Sequence, residues 1–179
     1  MRPNKKEQIL RTAVQMIGAH GLEALTFESL AEASGFSKSG LIYHFPSRHE
    51  LLLSIHRHLA QEWEEDLISF AGGPAAEMNQ ATRLRASVLS MSQTATRADL
   101  LVALDAPSHP DFRAVWATVN QRWMPSPMQI NDDPTRRAAY LVQLMADGLW
   151  VHDHIHEDPL TPEQRGALAE AILAMIPEG

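Results

Sequence analysis

Residues 26–45 read TFESLAEASGFSKSGLIYHF. Thr26 stands where a helix needs its N-cap, and Leu25 and Leu30 flank it at the spacing of a hydrophobic staple. Gly35 closes that helix. Ser37 caps a second helix, with Phe36 and Leu41 in the same staple positions, and Pro46 stops it from continuing. Two short helices across a glycine turn make a helix-turn-helix. In that arrangement the second helix enters the major groove of DNA and the first braces it across the backbone. The reading helix, Ser37 to about Phe45, offers Ser37, Lys38 and Ser39 at its N-terminus. Gly40 gives close backbone approach, and Tyr43 with His44 lies at the far end. Hydroxyls, ammonium groups and helix N-termini are the usual partners of phosphate.

Upstream, Asn4 and Glu7 have the spacing of a capping box, and Ile9, Ala13 and Ile17 form the apolar stripe of a first helix that Gly21 is placed to end in a left-handed conformation, which a Cβ disfavours. Downstream, Ser47 and Glu50 open a long helix whose apolar positions run from Leu52 to about Phe70, followed by the break Gly72-Gly73-Pro74. Helical patterns then cover about 76–95, 98–105 and 111–124. A long helix follows from Asp133-Pro134, with the stripe Ala138, Leu141, Met145, Leu149, His152 and Ile155. A last one starts at the cap Thr161-Pro162-Glu163-Gln164, with Leu168, Ile172, Met175 and Ile176 on one face. No strand pattern, repeat or low-complexity tract interrupts this, so the expectation is all-α.

The 179 residues are 45% hydrophobic and carry a net charge of −7, which is poor for a polyanion binder until it is divided. Residues 1–58 hold a net +2, all three lysines and five of the nine histidines, whereas residues 59–179 hold a net −9. Phosphate responds to local charge, so an acidic body does not exclude DNA at the other end. There is no cysteine, hence no disulfide or thiolate metal site. No secretory signal or transmembrane run is evident. A cytoplasmic protein that does not engage a membrane is expected.

Residues 5–58 resemble the TetR family of bacterial repressors in the apolar first helix, in GLEALT, in LAEASG and in FSKSGLIYHFPSRHELL, and Asp147–Trp150 (DGLW) resembles the family farther on. The resemblance implies about nine helices: a DNA-binding domain over 1–50, and a helical ligand-binding and dimerisation domain over 51–179. It also implies a homodimer on a pseudo-palindromic double-stranded operator, released by a small-molecule effector. Matching positions make Thr26 a phosphate contact and put Ser37, Lys38, Ser39, Gly40 and Leu41 at the exposed start of the reading helix. They make Tyr43 and His44 an aromatic pair on the DNA backbone, and Arg48 a phosphate contact at the start of the fourth helix. Phe27 departs from the pattern, standing where a polar or basic residue is common.

For the effector, Met91, Leu104, Trp116, Asn120, Trp123, Tyr140, Met145 and Trp150 are candidates to line an apolar cavity with a few polar handles. The last two helices are the candidate dimer bundle, with Ala146, Gly148, Ala167 and Ala171 small enough for close packing. His152 and His156 share a helix face at a metal-ligand spacing, but no H-E-x-x-H accompanies them. No metal, cofactor or enzymatic activity is expected. Two other readings stand beside the ligand-gated repressor: a helix-turn-helix regulator gated by a protein partner, and a metal-dependent enzyme built on the C-terminal histidines.

Overall fold

The computed structural model describes residues 4–128 and 130–177. Among them are nine α-helices and no strand: α1 (Lys5–His20), α2 (Phe27–Ser34), α3 (Lys38–His44), α4 (Arg48–Ala71), α5 (Gln80–Gln93), α6 (Arg97–Asp105), α7 (Pro110–Trp123), α8 (Pro134–Ile155) and α9 (Pro162–Leu173). The caps account for most of the boundaries. Thr26 Oγ1 accepts the Ser29 amide at 3.0 Å and Ser29 Oγ accepts the Thr26 amide at 3.0 Å, so the box over α2 is made of two hydroxyls. Ser37 Oγ accepts the Gly40 amide at 3.1 Å and starts α3. Thr96 with Asp99 and Thr161 with Gln164 form full boxes over α6 and α9. The box expected at α1 does not form. Asn4 takes the Lys6 amide, and Glu7 pairs with Arg11 one turn on, an i,i+4 partner that competes for its carboxylate. Gly35, at φ 72°, ends α2 as its spacing requires.

The chain divides into two compact units, Met1–Gln61 with Thr96–Trp116 and Glu62–Ala95 with Ala117–Gly179. The division after residue 50 follows the motif; the compact units follow packing, which carries the first unit along α4 and adds α6. In the first unit Ile9, Ala13 and Ile17 of α1 meet Leu30, Leu41 and Phe45 of the helix-turn-helix, together with Leu51 and Ile55 of α4 and Val102 of α6. Both staples close here: Leu25, Leu30 and Leu41 are fully buried, and Phe36 packs against them. Each such side chain contributes roughly 1.5–3 kcal/mol on burial, more than a cap, so the core seats α2 and α3 and the caps set where they begin.

In the second unit Leu84, Val88 and Met91 of α5 pack on Ala139, Val142, Ala146 and Leu149 of α8, with Ala169 and Ile172 of α9 closing the cluster. The α8 stripe read from the sequence is rotated. Leu141 and Ile155 are exposed, while Ala139, Val142 and Ala146 face inward. The helix is apolar on both sides, and periodicity alone does not choose which side turns in. Ala146 is accordingly a core residue of its own unit. Gly148, Ala167 and Ala171 stay exposed.

Candidate nucleic-acid interface and effector region

Apart from Leu41, the nucleic-acid candidates are exposed or half-buried at the cap of α2, on α3 and at the start of α4. Tyr43 is 84% exposed on a seven-residue helix whose Leu41 and the following Phe45 are fully buried. An aromatic ring held out from so short and so well-seated a helix is placed to touch something else. Ser37, Lys38 and Ser39 are exposed at the α3 N-terminus, with Ser37 and Ser39 hydroxyls 3.2 Å apart. Gly40 has a different role from the one its small size suggests. A Cβ there would lie 3.1 Å from Ser37 Oγ, so the glycine makes room for the cap. Leu41 is a correction to the exposed set, because it is buried and anchors the helix. His44 is half-buried, with its ring 5.3 Å from that of Tyr43 in an edge-on arrangement. Thr26 is exposed beyond its cap.

Two cations have internal partners. The Lys38 ammonium pairs with Glu28 of α2 and, through that hydrogen bond first, holds the Glu28 carboxyl below the usual carboxylate range. The Arg48 guanidinium donates to the Leu25 carbonyl and, at 3.4 Å, to the Leu22 carbonyl, tying the start of α4 to the single turn Leu22–Ala24. Glu28 was missed by sequence reading. Its signal lies ten residues from Lys38 and crosses the turn, beyond the reach of a helical spacing rule.

The effector candidates are less well gathered. Leu104 is 68% exposed and Trp116 donates its indole N–H to His56 Nδ1 at 2.8 Å; both belong to the first unit. Asn120 is exposed. Met91, Met145 and Trp150 do meet, in the core cluster of α5, α8 and α9. Trp123 is buried nearer Glu64, whose Oε1 accepts its N–H at 3.0 Å, while Arg122 grips both Glu64 oxygens at 2.7 and 2.6 Å. That hydrogen bond from Arg122 lowers the Glu64 pKa. Tyr140 is half-buried. A recess of about 600 Å³ in this unit lies instead between α5 and α9, lined by Leu89, Ser92, Leu160, Arg165 and Leu173 among others.

Sequence reading passed over the polar groups inside this unit. Ser87 Oγ donates to Gln143 Oε1 at 2.9 Å, and Gln143 Nε2 donates to Asp147 Oδ1 at 2.7 Å. Ser87 and Gln143 are buried, and burial pushes the Asp147 carboxyl up. A polar chain on the inward faces of two apolar helices costs free energy unless it is satisfied or used. Gln143 and Asp147 stand one turn apart, so their spacing was the available signal. Among the described residues the C-terminal histidines gather no metal set: His152 Nδ1 is 3.1 Å from Asp153, which is itself held by Arg165 and the Leu160 amide.

Residues 9–55 match the family described as "Bacterial regulatory proteins, tetR family", and residues 81–177 match "Tetracyclin repressor-like, C-terminal domain". Among characterised relatives, the HTH-type transcriptional regulator RutR of Escherichia coli K12 is 31% identical over 86 residues, 47% of this chain and 41% of its own. The match thus spans about two fifths of RutR's length. The regulator BetI of Agrobacterium fabrum is 22% identical over 178 residues, 95% of this chain and 86% of its own. A Saccharomonospora viridis chain solved in complex with choline superposes with a TM-score of 0.70 at 20% identity, covering 93% of this chain and 94% of that one. The multidrug-binding protein EbrR with malachite green gives 0.66 at 18%, covering 98% and 100%.

Proposed function

Because the chain belongs to the TetR family of bacterial transcriptional regulators, we propose that it binds a pseudo-palindromic operator as a homodimer and releases it when a small-molecule effector binds. The observation that carries this reading is Tyr43, exposed to 84% on a helix that buries Leu41. Thr26, Ser37, Lys38, Ser39, His44 and Arg48 serve with it as phosphate and base-edge partners, and Gly40 leaves room for the Ser37 cap. Two such heads read two half-sites whose spacing follows the dimer's two-fold axis. The dimer face is the outer side of α8 and α9, where Leu141, Leu144 and Leu168 are each 44–52% exposed and Gly148 admits close approach. The protein works in the cytoplasm, where its DNA is.

The effector enters the second unit. Met91, Trp123, Tyr140, Met145 and Trp150 supply apolar surface, and Ser87, Gln143 and Asp147 supply the hydrogen bonds that orient it. Similar folds that hold choline and malachite green support a small organic ligand. Release requires the effector to favour a dimer geometry that the operator does not.

Selection of bound genomic fragments, followed by titration of the best one at several salt concentrations, tests the reading. A two-fold site bound far more tightly than random DNA, with a steep salt slope, supports it. Weak binding that is equal on every sequence overturns it.

A further inference from the structure

His49 on the first turn of α4 and His109 and Asp111 at the start of α7 converge within the first unit. His49 Nε2 lies 3.3 Å from Asp111 Oδ2, His109 Nδ1 lies 3.6 Å from the same oxygen, and one ligand atom from each of the three falls within 4.8 Å of the others. Donors about 2.0–2.1 Å from a tetrahedral zinc sit about 3.3 Å from one another, so two of the three edges are already at ligand spacing. The rings are held in place. His49 stacks on Phe112 at 5.1 Å and 17°, His109 lies 4.3 Å from His49 between ring centroids, and Phe112 is itself buried. His109 Nδ1 accepts the Asp111 amide at 3.2 Å, a bond that a metal ion taken up at this nitrogen displaces.

We propose that His49, His109 and Asp111 bind a divalent transition ion of the zinc type, with solvent completing the shell. Two imidazoles and one carboxylate select such an ion over magnesium or calcium, which take oxygen donors. The bound ion ties the first turn of α4, four residues past the end of α3, to the start of α7. It makes metal availability an input to this protein separate from the organic effector.

The test uses the full chain without an affinity tag and Co²⁺ as a visible probe, displaced afterwards by Zn²⁺. Native protein takes up one equivalent with tetrahedral d–d bands. His109→Gln and Asp111→Asn, both at exposed or half-exposed positions with circular dichroism as a fold check, weaken it by about tenfold or more. The pair His152→Gln/His156→Gln leaves it unchanged, and so does an excess of Mg²⁺. Binding weaker than about 100 µM, binding that survives His109→Gln and Asp111→Asn alike, or binding lost with His152 and His156 overturns the proposal. These titrations contain no DNA, so they stand whether or not the operator reading holds; only a zinc effect on operator affinity rests on both.

Discussion

The two compact units treat apolar and polar side chains in opposite ways. Of ten large hydrophobic side chains left exposed, Ile42, Tyr43 and Leu104 belong to the first unit, and the other seven, including Leu141, Leu144, Ile155, Leu168 and Met175, belong to the second. Among the described residues, the first unit buries two polar side chains, Ser54 and His56, the latter satisfied by its neighbours, whereas the second buries four, Ser87, Ser90, Ser92 and Gln143. The first unit therefore follows more closely the rule of apolar within and polar without, and departs from it mainly on α3, the proposed reading helix. The second breaks the rule on both sides. Apolar surface outside and hydrogen-bonding groups within are what the proposed dimer face and effector site require.

The sharpest way to break this contrast is in the first core. Phe45→Ala removes a fully buried ring and is expected to cost about 3–5 kcal/mol in urea unfolding; a cost under about 1 kcal/mol would mean that this unit is not the closed one. Next comes the outer face of the second unit. Leu144→Asp with Leu168→Asp places charges where a partner helix is proposed, and should turn a dimer into a monomer by sedimentation at micromolar concentration. Operator affinity should fall about a hundredfold, near 3 kcal/mol. A double variant that stays dimeric moves the interface elsewhere. Tyr43→Ala should weaken operator binding about tenfold and leave the melting temperature unchanged, because the ring is exposed; a change in melting with no change in affinity would make Tyr43 a packing residue.

The smallest effect concerns pH. His56 is fully buried, accepts the Trp116 N–H on Nδ1 and lies 3.2 Å from Asp105 through Nε2. Burial holds its pKa below the ordinary 6.5, against the opposing pull of Asp105. The unfolded chain then binds this proton before the folded one does. Stability is full above pH 6.5 and is lost as the pH falls from there toward the folded value. Melting should drop by about 2–4 °C between neutral pH and the acid side, and His56→Gln should flatten that slope. An unchanged slope would assign the acid sensitivity to other groups.

What could be read in advance follows the same division. The reading helix was legible because its evidence is local: Ser37, Gly35 and Leu41 act within a few residues of where they stand. Leu41 was misplaced on the exposed side because likeness by position does not report which way a side chain points. In the second unit, α8 offers two apolar faces, and the choice between Leu141 outside and Val142 inside is made by α5, about fifty residues away. Two of the pocket candidates stand apart from the rest for a related reason. Trp116 and Leu104 have the composition of a cavity wall, but His56 claims the indole and solvent claims the leucine. The Ser87–Gln143 bond joins residues 56 apart in sequence, a pairing no spacing rule finds.

The pairing of Lys38 with Glu28 bears on how such a protein searches a chromosome. Any stretch of DNA that recruits this ammonium must first displace a carboxylate, so indiscriminate attraction to the polyanion is weakened by a small factor at every position. An exposed pair of this kind contributes little by itself, but it acts at every competing site. A cognate site recovers the difference through contacts that random sequence lacks. On the proposed reading of α3, Glu28 thus shortens the stay on any one random stretch of DNA without touching a base.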